Sequence, residues 1–308
     1  MRVAIIGGSG RVGVCAAFAL QLGGIVSEII LNDVMTELVQ GEALDLLHGT
    51  ALLHDQRIYA GDIEAAAQAD LIIITAGLRR RPDESRLDLV KRNVHLFLDI
   101  LSDLKSAGLR GDGILIVVSN PVDILTQLAV RGSGLPSERI IGLGTLLDTC
   151  RFCSLIADAI GVAPTQVKAL ILGEHGDSMV PIWSTATCSG LSLEKHPRLA
   201  AVERNRIFER ARQSGAEMLR LKGGAGWAVG ASIATLVHAI VLDQRKALPV
   251  SSLQRGAYAI RDICISVPTL VGAKGVIDHL EWDLWPRELQ GLRASARLLQ
   301  ETLDRINV

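Results

Sequence analysis

The chain has 308 residues, enough for two domains or one large one. Lysine plus arginine (32) nearly balances aspartate plus glutamate (33), so the net charge of -1 gives no global electrostatic reason to expect nucleic-acid binding. Hydrophobic residues make up 49% and charged residues 21%, a globular rather than a disordered composition. Because no uncharged apolar run reaches about 18 residues, we expect no membrane span. The high mean hydropathy of +0.33 instead favours a large core and a subunit interface.

Residues 2–6 lead straight into a glycine motif and leave no room for a cleaved export signal, so we expect a cytoplasmic location. The five cysteines are an odd number in a long chain, which favours reduced thiols over a disulfide framework. Cys150 and Cys153 form a CxxC pair, but no second pair of ligands has the spacing of a metal site. The sequence therefore predicts no bound metal.

The first half alternates short apolar runs with longer amphipathic ones, which predicts alternating strands and helices. Runs such as LIIIT and ILIVV are apolar throughout, as in strands buried on both faces of a parallel sheet. Right-handed connections then give a doubly wound α/β sheet. The predicted strands are Val3–Ile6, Glu28–Asn32, Arg57–Ala60, Leu71–Thr75 and Ile114–Ser119. The predicted helices are Val12–Leu22, Thr36–Leu47 and about Arg86–Ala107.

The pattern changes near Ile140–Gly144, and we place a boundary there between domains 1–143 and 144–308. The second half mixes helical patterns with strand-like runs, which predicts an α+β domain with antiparallel strands. Its predicted helices are Leu146–Ile160, about Ala201–Leu221, Trp227–Leu242 and Arg287–Arg305. Its predicted strands are Val167–Leu172 and, approximately, Ala247–Ser251, Tyr258–Ile265 and Pro268–Val276.

A GxGxxG motif follows the first strand and opens a helix, with the residues Gly8, Ser9, Gly10, Arg11, Val12 and Gly13. Gly8 permits a tight turn, Gly10 leaves room for a pyrophosphate, and Gly13 lets the helix pack closely on the strand. The helix N-terminus offers free N–H groups to phosphates. Asp33 ends the second strand 20 residues after Gly13, where an acid can bind ribose hydroxyls. The combination predicts NAD rather than NADP, the alternative being a merely tight strand–helix turn.

Three further segments place polar residues in apolar surroundings. Asp148 and Arg151, three residues apart, share one face of a helix. His175 stands between Gly-Glu and Gly-Asp after an apolar strand, a position that should face a cleft. Residues 79–86 (RRRPDESR) form a charged segment before a long helix. Taken alone, each has an ordinary interpretation: a surface ion pair, a loop histidine and a solvated loop.

Together, these segments supply what the oxidation of a secondary alcohol requires. His175 suits proton transfer near neutral pH, and Asp148 beside it would fix its tautomer and stabilise the imidazolium. Arg151 offers a bidentate partner for a substrate carboxylate. An arginine on a closing loop would polarise the carbonyl and exclude water.

These residues lie in stretches that resemble the lactate/malate dehydrogenase family from end to end. In family order the stretches are IIGGSGRVG, LNDV, GEALDLLHG, ADLIIITAG, SRLDLVKRNV, VVSNPVDILT, LDTCRF, GEHGDSMVPIW and LKGGAGWAVGASIA. The resemblance implies a Rossmann-type NAD-binding domain and NAD-dependent hydride transfer, with His175 as the acid–base, Asp148 as its partner and Arg151 on the substrate carboxylate. It implies that Arg86 polarises the carbonyl within a closing lid. The other contacts it implies are Asn120 to substrate and Asn93, Val118, Ser119 and Asn120 to the cofactor.

Arg80 lies six residues before Arg86, at the position that contacts the far end of the substrate in this family. The resemblance implies a Gln at this position in lactate enzymes and an Arg in malate enzymes. A buried, unpaired Arg facing the methyl group of pyruvate is costly, whereas oxaloacetate brings a second carboxylate. Ala225 favours the same choice, since lactate enzymes usually have a Thr at that position. We therefore expect a malate dehydrogenase of the tricarboxylic acid cycle, interconverting (S)-malate and oxaloacetate.

Alternatives remain open. The register within Arg79–Arg81 leaves undecided whether Arg80 or Arg81 faces the substrate. The lid sequence DESR is more similar to that of lactate enzymes than to that of malate enzymes. L-Lactate dehydrogenase is therefore the main alternative, followed by action on another 2-hydroxy acid. A non-catalytic NAD-binding protein is a remote alternative, because the acid–base set is complete. We also expect a homo-oligomer, a tetramer rather than a dimer, with interfaces near Gln40–Leu53 and Val202–Leu221.

Overall fold

The computed structural model of the protein describes residues 1–78 and 85–306, with the side chain of Arg86 left out. Its helices are α1 (Arg11–Gly23), α2 (Thr36–Gly49), α3 (Ile63–Ala67), α4 (Arg86–Ser106), α5 (Val122–Gly132), α6 (Leu146–Ile160), α7 (Ala201–Lys222), α8 (Trp227–Val241) and α9 (Pro286–Ile306). Its strands are β1 (Arg2–Ile6), β2 (Glu28–Asn32), β3 (Arg57–Ala60), β4 (Leu71–Ile74), β5 (Ile114–Val117), β6 (Ile140–Gly142), β7 (Val167–Leu172), β8 (Val180–Cys188), β9 (Leu191–Ser192), β10 (Lys246–Arg255), β11 (Arg261–Gly272) and β12 (Gly275–His279).

The main sheet has nine strands in the order β12-β11-β10-β6-β5-β4-β1-β2-β3, and β7, β8 and β9 form a second, smaller sheet. From β6 to β3 every pairing is parallel. The strand order reverses at β1, which pairs with both β2 and β4. In such a sheet the crevice beyond the carboxyl ends of the strands binds the ligand. The predicted Rossmann-type, doubly wound first half is confirmed.

The point where the sequence pattern changes is itself a strand. Ile140–Gly142 pairs in parallel with β5 and, through Gly142 and Ser251, antiparallel with β10. A Cβ at residue 142 would lie 2.3 Å from the hydroxyl oxygen of Thr126 and 2.9 Å from the Cβ of Ser251. Only glycine lets α5 and β10 approach β6 this closely. Gly142 therefore allows the second half of the chain to pack against the sheet.

Several elements of the second half differ from their predictions. The two predicted strands on either side of residue 267 are largely one long strand, β11, which pairs antiparallel with β10 and β12. Pro268 suggested a break because proline lacks a ladder donor, yet it lies opposite Pro249 within the continuous pairing. The α+β character of the second half, with antiparallel strands, is confirmed. In the first half the helix α5 was missed, although its apolar residues recur at a helical spacing and Val122–Ala129 is buried throughout.

Apolar side chains cover both faces of the parallel sheet. Successive residues of β1 point to opposite sides, with Val3 and Ile5 in one hydrophobic cluster and Ala4 and Ile6 in the other. A third cluster joins α6, the small sheet and α7. Burial of each large side chain stabilises the fold by about 1.5–3 kcal/mol before entropy is counted. No described helix is both long enough and apolar enough to cross a bilayer.

Candidate active site

The glycine motif forms the turn between β1 and α1. A Cβ at Gly13 would lie 2.2 Å from the carbonyl oxygen of Gly7, and one at Gly8 would lie 2.9 Å from the Cβ of Leu31. Both distances are below van der Waals contact, so the helix can pack on the strand only with glycine at these positions. A Cβ at Gly10 would meet only the Gly7 carbonyl oxygen within 4 Å among the described residues. That side of the turn therefore has the space that a pyrophosphate needs.

Asp33 lies directly beyond β2 and fixes the glycine motif. Its Oδ2 accepts hydrogen bonds from the backbone N–H of Ser9 at 3.1 Å and from the Ser9 hydroxyl at 2.7 Å. Its Oδ1 accepts from the N–H of Met35 at 3.2 Å. The carboxylate is only partly buried, and its remaining lone pairs can accept hydrogens from ribose hydroxyls. The acid, the helix N-terminus and the space at Gly10 together fit a dinucleotide.

Arg11 makes a contact that the sequence did not predict. Its guanidinium donates to the carbonyl oxygens of Lys222 and Gly224, the latter at 2.9 Å, and so ties the start of α1 to the turn after α7. Val12 packs against the apolar cluster of the sheet. Contacts of these two residues with the cofactor stay predictions, and their backbone N–H groups lie at the start of α1.

The segment after β5 reaches the same edge of the sheet. The buried Ser119 hydroxyl donates to the carbonyl oxygens of Ile74 at 3.1 Å and Ala76 at 2.5 Å. Val118 is partly buried beside it, and Asn120 is exposed at the end of the segment. These bonds fix the backbone of residues 118–120 against the end of β4.

Asn93 points from α4 back towards the sheet. Its Oδ1 accepts from the N–H of Leu78 at 2.7 Å, and its Nδ2 donates to the carbonyl oxygen of Leu89 at 3.2 Å. The side chain is buried and holds the chain that leaves β4. Its predicted contact with the cofactor stays a prediction.

The predicted acid–base residues lie together. Nδ1 of His175 is 2.5 Å from Oδ2 of Asp148, and a terminal guanidinium nitrogen of Arg151 is 3.1 Å from Oδ1 of the same carboxylate. The Asp148 side chain is 1% exposed, whereas those of His175 and Arg151 are 20% and 15% exposed. The helix α6 presents the aspartate and the arginine on one face, and the loop after β7 brings the histidine to them. The aspartate is thus buried beneath two groups that a substrate can reach.

The pKa values of Asp148 and His175 are shifted in opposite directions, as expected for an acid–base pair. Burial by itself would raise the pKa of Asp148, but the charge and hydrogen bond of His175, together with Arg151, outweigh burial and lower it. Burial would also lower the pKa of His175, but the charge and hydrogen bond of Asp148 reverse this and raise it. Asp123 adds to the increase, and Arg151 opposes it. The imidazolium is therefore stabilised, and its other ring nitrogen is left to exchange a proton with substrate.

Distant residues that the sequence analysis missed hold the histidine loop. The buried Ser295 of α9 accepts from the N–H of Glu174 at 2.9 Å and shares a hydrogen bond of 2.8 Å with Ser178. Gly173 has φ +93°, and a Cβ there would lie 2.9 Å from the Ser295 hydroxyl oxygen. Asp123 accepts the N–H of His175 at 2.8 Å. Ser295 has no local sequence signal, whereas Asp123 is an acid within the apolar run VDILTQLAV.

The side chains of the arginines predicted on the lid lie outside the described part of the structure. Arg80, Arg81 and the residues up to Glu84 lie outside the described residues. Arg86 is the first residue of α4, and only its backbone is described. The hydroxyl of Ser85 caps this helix by accepting the N–H of Asp88 at 3.1 Å.

The CxxC pair lies on α6 beside the acid–base residues. Burial raises the pKa of both Cys150 and Cys153, which favours neutral thiols. Within residues 1–78 and 85–306, no group of three or more His, Cys, Asp or Glu side chains could hold a metal ion.

The glycine motif fits a dinucleotide, and the buried His–Asp pair with the half-buried arginine fits a hydroxy acid. Together they define a dinucleotide-dependent oxidoreductase that acts on a hydroxy acid. Comparison with known families gives the particular group. Residues 1–142 match the NAD binding domain of lactate/malate dehydrogenase, and residues 145–307 match its alpha/beta C-terminal domain. The chain belongs to the lactate/malate dehydrogenase family and is an NAD-dependent 2-hydroxy acid dehydrogenase.

Relatives in this family cover essentially the whole chain. An L-lactate dehydrogenase of Synechococcus sp. (strain JA-3-3Ab) is 39% identical over 307 residues, 99% of each chain. Another, from Priestia megaterium, is 40% identical over 99% of this chain and 96% of its own. The crystal structure of a minor L-lactate dehydrogenase from Enterococcus mundtii superimposes with a TM-score of 0.94 at 37% identity, covering 99% of this chain and 98% of that one. A lactate dehydrogenase from a Medee basin deep-sea metagenome library has the same TM-score at 32% identity, covering 100% and 99%.

These comparisons overturn the malate assignment. Relatives at 36–41% identity are named L-lactate dehydrogenase, and the solved structures are lactate dehydrogenases. The expectation of malate, and of a place in the tricarboxylic acid cycle, was wrong. It depended on Arg80, or on Arg81 if the register differs, and on Ala225; both arginines lie outside the described residues. The 2-hydroxy carboxylate group for which His175 and Arg151 are predicted is common to lactate and malate, so these described residues could not correct the error.

Proposed function

We propose that the protein is an L-lactate dehydrogenase that interconverts (S)-lactate and pyruvate with NAD. The observation that carries the proposal is the similarity from end to end to proteins named L-lactate dehydrogenase, in a chain that holds the His175–Asp148–Arg151 cluster. The cluster supplies a base, a buried partner for that base and a cation for a single carboxylate. Lactate has one carboxylate and one secondary hydroxyl, which matches these groups.

In lactate oxidation, neutral His175 accepts the hydroxyl proton on Nε2, the ring nitrogen that Asp148 leaves free. Asp148 stabilises the imidazolium that forms. Arg151 binds the carboxylate and holds the C2 carbon in place. In pyruvate reduction the protonated His175 returns the proton. In this proposal Arg86 polarises the carbonyl, and Asn120 contacts the substrate.

When bound, NAD would provide the hydride acceptor for lactate oxidation, and NADH would provide the hydride donor for pyruvate reduction. The glycine motif, including the N–H groups of Gly10 to Gly13, would hold its pyrophosphate at the start of α1. Asp33 would bind the adenosine ribose. The segment Val118–Asn120 and Asn93 would line the remainder of the cofactor site.

The first prediction concerns substrate choice. We expect the kcat/KM for NADH oxidation with pyruvate to exceed that with oxaloacetate by at least about 100-fold, because the relatives that this chain matches from end to end are named L-lactate dehydrogenase. Such a preference corresponds to about 3 kcal/mol of differential transition-state stabilisation. The measurement is the loss of NADH absorbance with each keto acid under the same conditions. Higher kcat/KM with oxaloacetate would reject the lactate proposal. If NADH is consumed with neither acid, the remaining alternatives are action on another 2-hydroxy acid and a non-catalytic NAD-binding protein.

The remaining proposals concern organisation. We propose a homotetramer, supported by exposed apolar side chains on α2 (Leu38, Leu44 and Leu47) and by Trp227 at the start of α8, which is 70% exposed. The domain division at residues 143 and 144 is supported by the two family matches, which end and begin beside it. The cytoplasmic location is supported by the five free thiols.

The tetramer gives the second prediction. Light scattering coupled to gel filtration should yield four times the 33.0 kDa mass of the chain. A charge placed on the apolar face of α2, as in Leu44→Glu, should lower that mass because burying an unpaired carboxylate in an interface is unfavourable. Glu37→Gln, an exposed change on the same helix, should leave the mass unchanged. A wild-type mass of one chain would contradict the proposal, and a mass of two would favour the dimer.

A further inference from the structure

A buried carboxylate that the proposed mechanism does not use contacts the catalytic histidine. Asp123 is the second residue of α5 and is 3% exposed. Its Oδ2 accepts the backbone N–H of His175, 52 residues further along the chain, at 2.8 Å. Asp148, by contrast, contacts the imidazole ring. His175 therefore has one carboxylate on its ring and another on its main chain.

The surroundings of Asp123 are unfavourable for a residue that serves only to anchor a loop. Its Oδ1 is buried and makes no hydrogen bond of standard geometry among the described residues, although the Ser251 hydroxyl lies close enough to the carboxyl group to interact with it. Burial raises its pKa to about 6, and the Ser251 hydroxyl and the N–H and charge of His175 lower it only in part. An asparagine could accept the same N–H without burying a charge. The negative charge itself therefore requires an explanation.

Asp123 also links two parts of the proposed site. It lies three residues after Asn120, in the segment that is proposed to contact substrate and cofactor. The same short stretch thus holds the main chain of His175 and lines the site on its other side. A fixed distance between the base and the reacting carbon is what efficient proton and hydride transfer needs.

We propose that Asp123 is a second carboxylate of the acid–base unit, which positions His175 through its main chain and stabilises the protonated imidazole by its charge. The inference rests on the proposed acid–base role of His175. Asp123 touches neither substrate nor cofactor in this scheme, so it is a positioning residue. The titratable and charged groups that influence this pair are Glu174 beside it and Asp148 and Arg151 on α6. The charge of Asp123, together with that of Arg131 on α5, acts in turn on the buried Cys264 thiol of β11.

The test is the pH profile of kcat/KM for pyruvate in the Asp123→Asn variant. Pyruvate reduction needs protonated His175, so activity falls as the pH rises through the pKa of that histidine. Loss of the Asp123 charge should lower this pKa, because a nearby negative charge favours the imidazolium. We expect the midpoint to move down by about 0.5–1 pH unit, which is about a 3–10-fold loss of kcat/KM on the alkaline side. The acid plateau should change by less than about 3-fold, since the amide keeps the hydrogen bond.

Controls separate this role from a structural one. Asp158→Asn removes an exposed carboxylate from α6 and should leave the midpoint in place; an equal shift in this variant would overturn the inference. An Asp123→Asn enzyme that is less stable but keeps the wild-type midpoint would also overturn it. If that variant does not fold, the imidazole NMR titration of His175 in the wild type decides. Two inflections, one near pH 6, are expected from coupling to Asp123, and a single inflection would contradict it.

The failure of this inference is distinguishable from the failure of the proposed function. An active His175→Asn enzyme would remove the acid–base role on which both depend. An inactive His175→Asn enzyme, combined with an unshifted Asp123→Asn profile, would reject only the role of Asp123.

Discussion

Replacement of His175 by asparagine should lower kcat for pyruvate reduction by about 10³–10⁴-fold, the upper part of the range for a general acid–base. Asparagine preserves a polar side chain of similar reach but cannot deliver a proton. The binding of NADH, measured by fluorescence titration, should change by less than about 3-fold, since the glycine motif and Asp33 lie on other elements. The measurement is steady-state kcat beside the NADH titration.

The matched control is His95→Asn, which changes an exposed histidine on α4 and should leave kcat within about 2-fold. A His175→Asn enzyme that retained more than a tenth of the wild-type kcat would exclude this histidine as the acid–base. A fall in kcat together with loss of NADH binding would indicate a collapsed site instead, and would leave the chemical role unsupported.

Replacement of Arg151 by lysine should raise the KM for pyruvate and lower kcat/KM by about 10²–10³-fold. One terminal nitrogen of Arg151 already contacts Asp148 at 3.1 Å, and the planar guanidinium has further N–H groups for a carboxylate. Lysine keeps the charge but cannot make the paired hydrogen bonds, and each charge-assisted bond contributes about 1.5–3 kcal/mol. Initial rates over a range of pyruvate concentrations give the values of kcat and KM.

Arg206→Lys is the matched control, because Arg206 also pairs with an acid three residues away, Glu203, but is 67% exposed on α7. It should change kcat/KM by less than about 2-fold. If Arg151 acted only through Asp148, the variant would shift the pH midpoint of His175 and leave the KM near its wild-type value. A KM within 3-fold of wild type would therefore contradict carboxylate binding by Arg151.

Much of the fold was predictable because local patterns determine it. The bounds of α6 and β7 agree with the sequence prediction, since each has a clear period and a marked end. The glycine motif was also recognisable, because the close approach of Gly13 to Gly7 excludes every larger residue. The helix α5 was missed although its apolar residues recur at a helical spacing, and the short strand β6 was read only as the point where the pattern changes.

The candidate site was likewise predictable only in part. Asp148 and Arg151 lie on one helix face, as their spacing predicted, and form an ion pair. The support of the histidine loop by Ser295 and Asp123 was not predictable, because these residues come from elements 120 residues after and 52 residues before His175. The substrate was predicted wrongly from Arg80 and Ala225, and Arg80 lies outside the described residues.

The sequence by itself determined the fold class and the cofactor, and it predicted the acid–base residues that the structure brings together. Each of these depends on residues whose type and spacing are tightly limited: glycines at a close approach, an acid after the second strand, and an acid and an arginine one helical turn apart. The tertiary structure alone decided that a second buried carboxylate contacts His175 and that Arg11 ties two distant segments together. The physical reason is that such contacts form where separate elements pack, and packing leaves no periodic trace in the chain.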